Sequence, residues 1–215
     1  MYSGISAFDL DHTILTVNSS YCFGAFLRKE KVLSSFSLYL CLFDYMRHKL
    51  WGLSIEKLHQ NVFARLFKGS SKEFVERYVQ QFLTQNLNKY LYQPVLQRLK
   101  QAQQEGQFIA IISSAPDFLV QPIANLLNVN AWQATEYSCD TDGHYSHLSQ
   151  IVQGIDKADY TNALVKRLGL SVSALTVYSD SYLDLPVLKI AGKAIAVAPD
   201  AVLRRVCKKN NWEII

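Results

Sequence analysis

Three short apolar runs punctuate the chain, at 5–8, 108–112 and 175–178, and each gives way to polar or acidic residues. Runs of this length that stay apolar, without alternating, predict strands buried on both faces of a parallel sheet. A fourth run, 194–198, stops at Pro199, and 212–215 predicts an edge strand. Between them the period changes to that of helices. Pro94 opens a segment with Val95, Leu96, Leu99 and Ala102 on one side, and Gly106 closes it. Pro at the start and Gly at the stop are helix punctuation. Residues 158–168 read the same way, with Gly169 as the stop. Strands alternating with helices predict βαβ units. The expected class is therefore α/β, a Rossmann-like parallel sheet flanked by helices.

From 18 to 88 no β-like run occurs. Ile55, Leu58, Val62, Leu66 and Phe67 share one helical face. Ser70 and Glu73 stand at capping-box spacing, ahead of a stripe of Phe74, Tyr78 and Phe82. These patterns predict an all-helical module over 18–88, inserted into a core formed by 1–17 and 89–215. The apolar stretch 32–46 is interrupted by Ser34, Ser35, Ser37 and Asp44. It is shorter than the ~20 apolar residues of a membrane span, so no transmembrane segment is expected.

Composition narrows the partners. With 49% hydrophobic and 19% charged residues among 215, the chain can bury a core of its own. The net charge of +4 is spread along the chain apart from short clusters at 29–31 and 204–209, sparser than a nucleic-acid footprint. No nucleic-acid partner is expected. Cys22, Cys41, Cys139 and Cys207 lie far apart without a C-x-x-C pair, and no secretory pattern precedes the first strand, so reduced thiols and a cytoplasmic location are expected. Cys139, His144 and His147 lack a fourth ligand for zinc.

In an α/β sheet ligands gather beyond the carboxyl ends of the strands. After the first run stand Asp9 and Asp11, placed by alternation on one side, followed by Thr13. After the second come Ser113 and Ser114, then Pro116, which can open a helix whose free N–H groups form an anion site. Lys157 opens a helix at the end where the dipole disfavours a cation, which a bound phosphate would explain. After the third come Asp180 and Asp184, one helical turn apart. Taken singly, each has a plain reading as a polar strand end, a helix cap or a solvated lysine.

As a set, in this order, Asp9-Leu10-Asp11-His12-Thr13, Ser113, Lys157 and Asp180 to Asp184 resemble the signature of the haloacid dehalogenase superfamily, in its branch of phosphatases around phosphoserine phosphatase. The resemblance covers nearly the whole core. It implies a magnesium-dependent phosphatase in which Asp9 attacks phosphorus to form an aspartyl-phosphate and Asp11 serves as general acid and base. Thr13, Ser113, Ser114 and Lys157 would bind phosphate. Mg²⁺ would be held by Asp9, the Asp11 carbonyl and Asp180, with Asp184 in support. The module over 18–88 would be the cap that covers the site, and the partner a small phosphorylated metabolite. Asn18 stands where phosphoserine phosphatases carry a carboxylate for the substrate ammonium, and Ser179 where the family usually has Gly. Asp142-Gly143-His144-Tyr145 resembles the branch's hairpin. A phosphotransferase using the same intermediate and a non-enzymatic phospholigand-binding module remain alternatives, and the oligomeric state is open.

Overall fold

A computed structural model describes residues 2–215, with Lys49 by its backbone alone. In chain order the elements are β1 (Ile5–Phe8), a wide irregular turn (Leu10–Ile14), and helices α1 (Ser19–Lys29), α2 (Ser35–Trp51), α3 (Ile55–Leu66) and α4 (Lys72–Tyr90). Then come α5 (Gln93–Gln104), β2 (Phe108–Pro116), α6 (Asp117–Leu126), β3 (Ala131–Cys139), β4 (Tyr145–Gln150) and α7 (Gly154–Arg167). The chain finishes with β5 (Leu175–Ser179), α8 (Leu185–Ile190), β6 (Lys193–Ala196), α9 (Ala201–Asn210) and β7 (Glu213–Ile214).

The described residues build one seven-stranded sheet in the order β4-β3-β2-β1-β5-β6-β7. Every pairing is parallel except β3 with β4. The two central pairings set Ile5 beside Phe108 and Leu175, and Phe8 beside Ile111 and Tyr178. The carboxyl ends of β1, β2 and β5 therefore finish together, and the segments leaving these three strands meet above the sheet. On one face Ile5, Ala7, Ala110, Ile112 and Val177 pack against α7, α8 and α9. On the other, Phe8, Ile109 and Ile111 join a larger core that runs into the inserted helices.

No strand interrupts α1 to α4. The two connections to the core lie side by side: Thr16 N–H donates to the Tyr90 carbonyl at 2.8 Å and Tyr92 N–H to that of Ile14 at 2.8 Å. A second attachment ties the α3–α4 junction to the β3–β4 hairpin, with Gly69 N–H on the Tyr145 carbonyl at 2.8 Å and Lys72 N–H on that of Gly143 at 2.9 Å. Between these anchors an aromatic cluster fills the seam. Phe118 of α6 meets Phe67 at 5.1 Å, Phe23 at 6.0 Å and Tyr137 at 5.1 Å between ring centroids. Such pairs contribute about 0.5–1.5 kcal/mol each beyond the area they bury.

Several boundaries differ from expectation. Ser71, not Ser70, caps α4, its hydroxyl accepting from Phe74 N–H. The buried stripe of that helix is consequently Val75, Val79, Phe82, Leu83 and Leu87, and Phe74 lies at the rim. Helix α7 begins at Gly154, ahead of the expected 158, and carries Lys157 inside its first turn. Strand β3 has no forerunner among the predicted strands because Gln133, Thr135 and Glu136 break its apolar run.

Candidate active site

The site begins where β1 ends. Asp9 N–H makes the last link to β5, donating to the Tyr178 carbonyl at 2.9 Å. Beyond it the backbone bends through Leu10–Ile14, with His12 in the left-handed region at φ 56°. That conformation costs a residue of this type about 1–2 kcal/mol, and strain held at a strand end is a mark of function. Leu10 and Ile14 are buried beneath the turn and hold it in place.

Lys157 reaches the site from α7. Its ammonium donates to Asp9 Oδ1 at 2.7 Å and to Asp184 Oδ2 at 2.8 Å, and the side chain is only 5% exposed. Two carboxylates therefore explain the lysine at the positive end of a helix. Ser179, the last residue of β5, donates its hydroxyl to the same Asp184 oxygen at 2.7 Å and accepts from Ser181 N–H at 3.2 Å. Asp180 accepts from the buried Thr13 hydroxyl at 3.3 Å. Thr13 is thus aimed at a carboxylate.

Asp11 occupies a separate niche. Its Oδ1 accepts from Ser19 N–H, the first residue of α1, at 2.8 Å. Asn18, beside it, uses its side-chain oxygen to cap α1 through Tyr21 N–H at 2.8 Å. Ser113 is buried, and its oxygen accepts from Ala115 N–H at 3.1 Å, which leaves its proton free to donate. Ser114 is fixed through its carbonyl by the Thr135 hydroxyl at 2.7 Å, which also accepts from Val152 N–H at 3.2 Å. This chain of bonds ties the end of β2 to the segment leading into α7.

Charges in the site are out of balance. Burial pushes Asp9 well above the usual carboxylate range, the charges of Asp184 and Asp180 add to the shift, and Lys157 offsets it only in part. Asp180 is pushed up to about 6, first by burial, with Asp184 adding to it. Burial raises Asp11 as well, against the bonds from Ser19. Lys157 moves up because Asp184 and Asp9 outweigh its own desolvation. Three acids thus face one ammonium in a low-dielectric setting, the arrangement of a site that awaits a further cation or a proton.

All eight residues expected from the sequence stand at these strand and helix ends, and Asp9, Lys157 and Asp184 are in direct contact. Sequence reasoning missed Ser19 and Thr135, which hold Asp11 and the Ser114 backbone. It marked Ser179 as a serine in place of the usual glycine but gave its hydroxyl no role, and that hydroxyl holds Asp184. A cavity of about 550 Å³ opens between α3 and β4, lined by Glu56, Gln60, Lys68, His147 and Gln153, and Asp9, Asp11, Asp180 and Asp184 do not line it.

Comparison with known proteins bears on the family and the fold. Over 111 residues, 51% of this chain, the sequence is 35% identical to a phosphoserine phosphatase of Mycobacterium tuberculosis. The matched stretch covers 36% of that relative, and the chain spans little over a third of the first curated relatives' length. It is 24% identical to a histidinol-phosphatase of Neisseria meningitidis over 98% of this chain and 97% of the relative. A crystal structure of a protein of unknown function from Bordetella pertussis shares the fold, with a TM-score of 0.88, 23% identity and coverage of 100% of this chain and 99% of that one. The model of the haloacid dehalogenase-like hydrolases matches residues 7–189, from the strand that delivers Asp9 to the helix after Asp184, and the chain belongs to that family.

Proposed function

We propose that this chain is a phosphoric monoester hydrolase acting on a small phosphorylated metabolite, with Asp9 as the nucleophile of an aspartyl-phosphate intermediate. The observation that carries the reading is Lys157 seated between Asp9 and Asp184, with a second, half-buried acid, Asp11, two residues from the nucleophile. The ammonium neutralises Asp9 as it approaches an anionic phosphoryl group and holds its carboxylate in one orientation. Ser113 and the Ser114 backbone, fixed by Thr135, present donors to the phosphoryl oxygens.

Asp11, whose carboxyl burial raises, gives its proton to the leaving oxygen and then, as carboxylate, takes one from the attacking water. Its bond to Ser19 couples that acid to α1, so helices α1 to α4, as the cap over 18–88, present the proton donor when they close and exclude water from the site. Thr13 orients Asp180 and Ser179 orients Asp184.

The residues present fit Mg²⁺. Among the described residues no three acid, His or Cys side chains form a cage. Mg²⁺ requires none, since it takes one or two carboxylates and completes its octahedron with water and phosphate oxygens. Asp9 and Asp180, with the Asp11 carbonyl, would hold it, and its charge would offset that of the phosphoryl oxygens.

Asn18 is occupied as a helix cap and carries no charge, so a substrate ammonium is not met at that position. The test is phosphate release from an aryl phosphate and a broad panel of phosphometabolites. Turnover is expected with Mg²⁺, and neither without the metal nor in Asp9→Asn. A wild type silent across the panel overturns the reading.

A further inference from the structure

Helix α2 is apolar on two sides. Inward, Leu38 and Cys41 flank the buried Asp44, which is bonded to Asn61 and Arg65 of α3. Outward, Phe36, Tyr39, Phe43, Met46 and Leu50 succeed one another in steps of three and four residues and line one stripe of the helix. Their exposures are 71%, 64%, 56%, 41% and 62%, and Leu42 and Trp51 flank them at 38% and 69%. A contiguous patch, unlike scattered apolar residues, marks a contact surface. With about 200 Å² of surface for each large side chain, the face exposes roughly 800 Å², the share one partner gives to a standard interface.

We infer that the occupant is a second copy of this chain, its α2 lying antiparallel on this one about a two-fold axis at Phe43. The stripe reads nearly the same in both directions. Phe36 and Leu50 are each seven residues from Phe43, while Tyr39 and Met46 are four and three residues away. Reversal therefore sets Phe36 on Leu50 and Phe43 on itself and brings Tyr39 within one residue of Met46, the self-complementarity that a two-fold interface requires. The stripe contains no charged residue, and antiparallel packing opposes the two helix dipoles. A lipid surface fits less well. A helix lying on a membrane carries basic residues all along its polar face, whereas in α2 they are confined to 47–49 at its end, where Arg47 is paired with Asp44. The inferred interface uses no residue of the catalytic site.

The test combines solution mass with cross-linking of the full chain at micromolar concentration. The wild type is expected at twice the chain's mass. Phe43→Lys, an exposed position, is expected at half that mass with an unchanged thermal melt. Under mild oxidation Phe43→Cys is expected to cross-link to itself. Phe36→Cys should link only when mixed with Leu50→Cys, with the wild type as control for the native cysteines. The cross-links decide the matter even if Phe43→Lys fails to fold. A monomeric wild type, a dimer that survives Phe43→Lys in a folded protein, or Phe36→Cys linking to itself overturns the inference. So does a monomer that binds phosphatidylserine-containing vesicles through Phe43.

Discussion

Two buried acidic clusters in this chain make opposite use of the same ingredients. In the inserted helices, Asp44 accepts from Arg47 at 3.3 Å, from Asn61 at 2.9 Å and from Arg65. Burial would raise its carboxyl, yet these bonds and the Arg65 charge bring it below the usual carboxylate range. Above the sheet, Asp9 and Asp184 share Lys157 with Asp180 close by, and burial with mutual repulsion drives Asp9 and Asp180 upward. One acid with three donors is a structural clamp. Three acids with one cation is a site left under electrostatic tension, which a substrate and metal can relieve.

The contrast is sharpest at Lys157. Lys157→Met is expected to lower turnover about 10²–10³-fold, the scale for loss of one preorganised donor. It is also expected to lower stability, because two buried carboxylates lose their counter-charge. Adding Asp184→Asn should recover part of the thermal melt and none of the turnover. Recovery of both would make the lysine a purely structural ion pair.

Asp44→Ala should act in the reverse sense. It is expected to cost about 1–3 kcal/mol of stability in denaturant melts, as charged hydrogen bonds are lost, while turnover of the folded protein persists. Because the folded-state value of Asp44 is depressed, its contribution is present above the unfolded pKa and is lost as pH falls through the folded one. Wild type and variant should therefore converge in stability below about pH 4. A constant gap across that range would show that Asp44 acts through packing.

The smallest expected effect has the opposite sign. Asp180→Asn removes one of the crowded like charges, so the metal-free protein should gain stability, by about 1 kcal/mol or less, while Mg²⁺-dependent turnover falls. A destabilised Asp180→Asn in metal-free thermal melts would place Asp180 with Asp44 among the structural acids.

How legible each residue is in the sequence depends on how local its determinants are. The buried central strands announce themselves because both faces are covered and the runs are apolar throughout, and beyond their ends Asp9 and Asp184 meet Lys157 of α7. Strand β3 escapes because it sits near the sheet edge, with Thr135 turned to hydrogen bonding and Glu136 exposed. Ser70 is easily taken for Ser71 because adjacent serines offer the same chemistry and only the backbone decides which one caps. Thr13 is expected on phosphate, and its bond to Asp180 depends on a fold that closes 167 residues of sequence separation. The Asp44 clamp shows no sequence pattern, since its partner Arg65 lies on another helix.

The most direct measurement is to quench the enzyme with acid during turnover of an aryl phosphate with Mg²⁺ and map the protein by peptide mass spectrometry. A single phosphoryl group on the peptide bearing Asp9, absent in Asp9→Asn, is the expected result. Full turnover with no phosphorylated peptide, or with the phosphoryl group on another residue, would contradict Asp9 as the nucleophile.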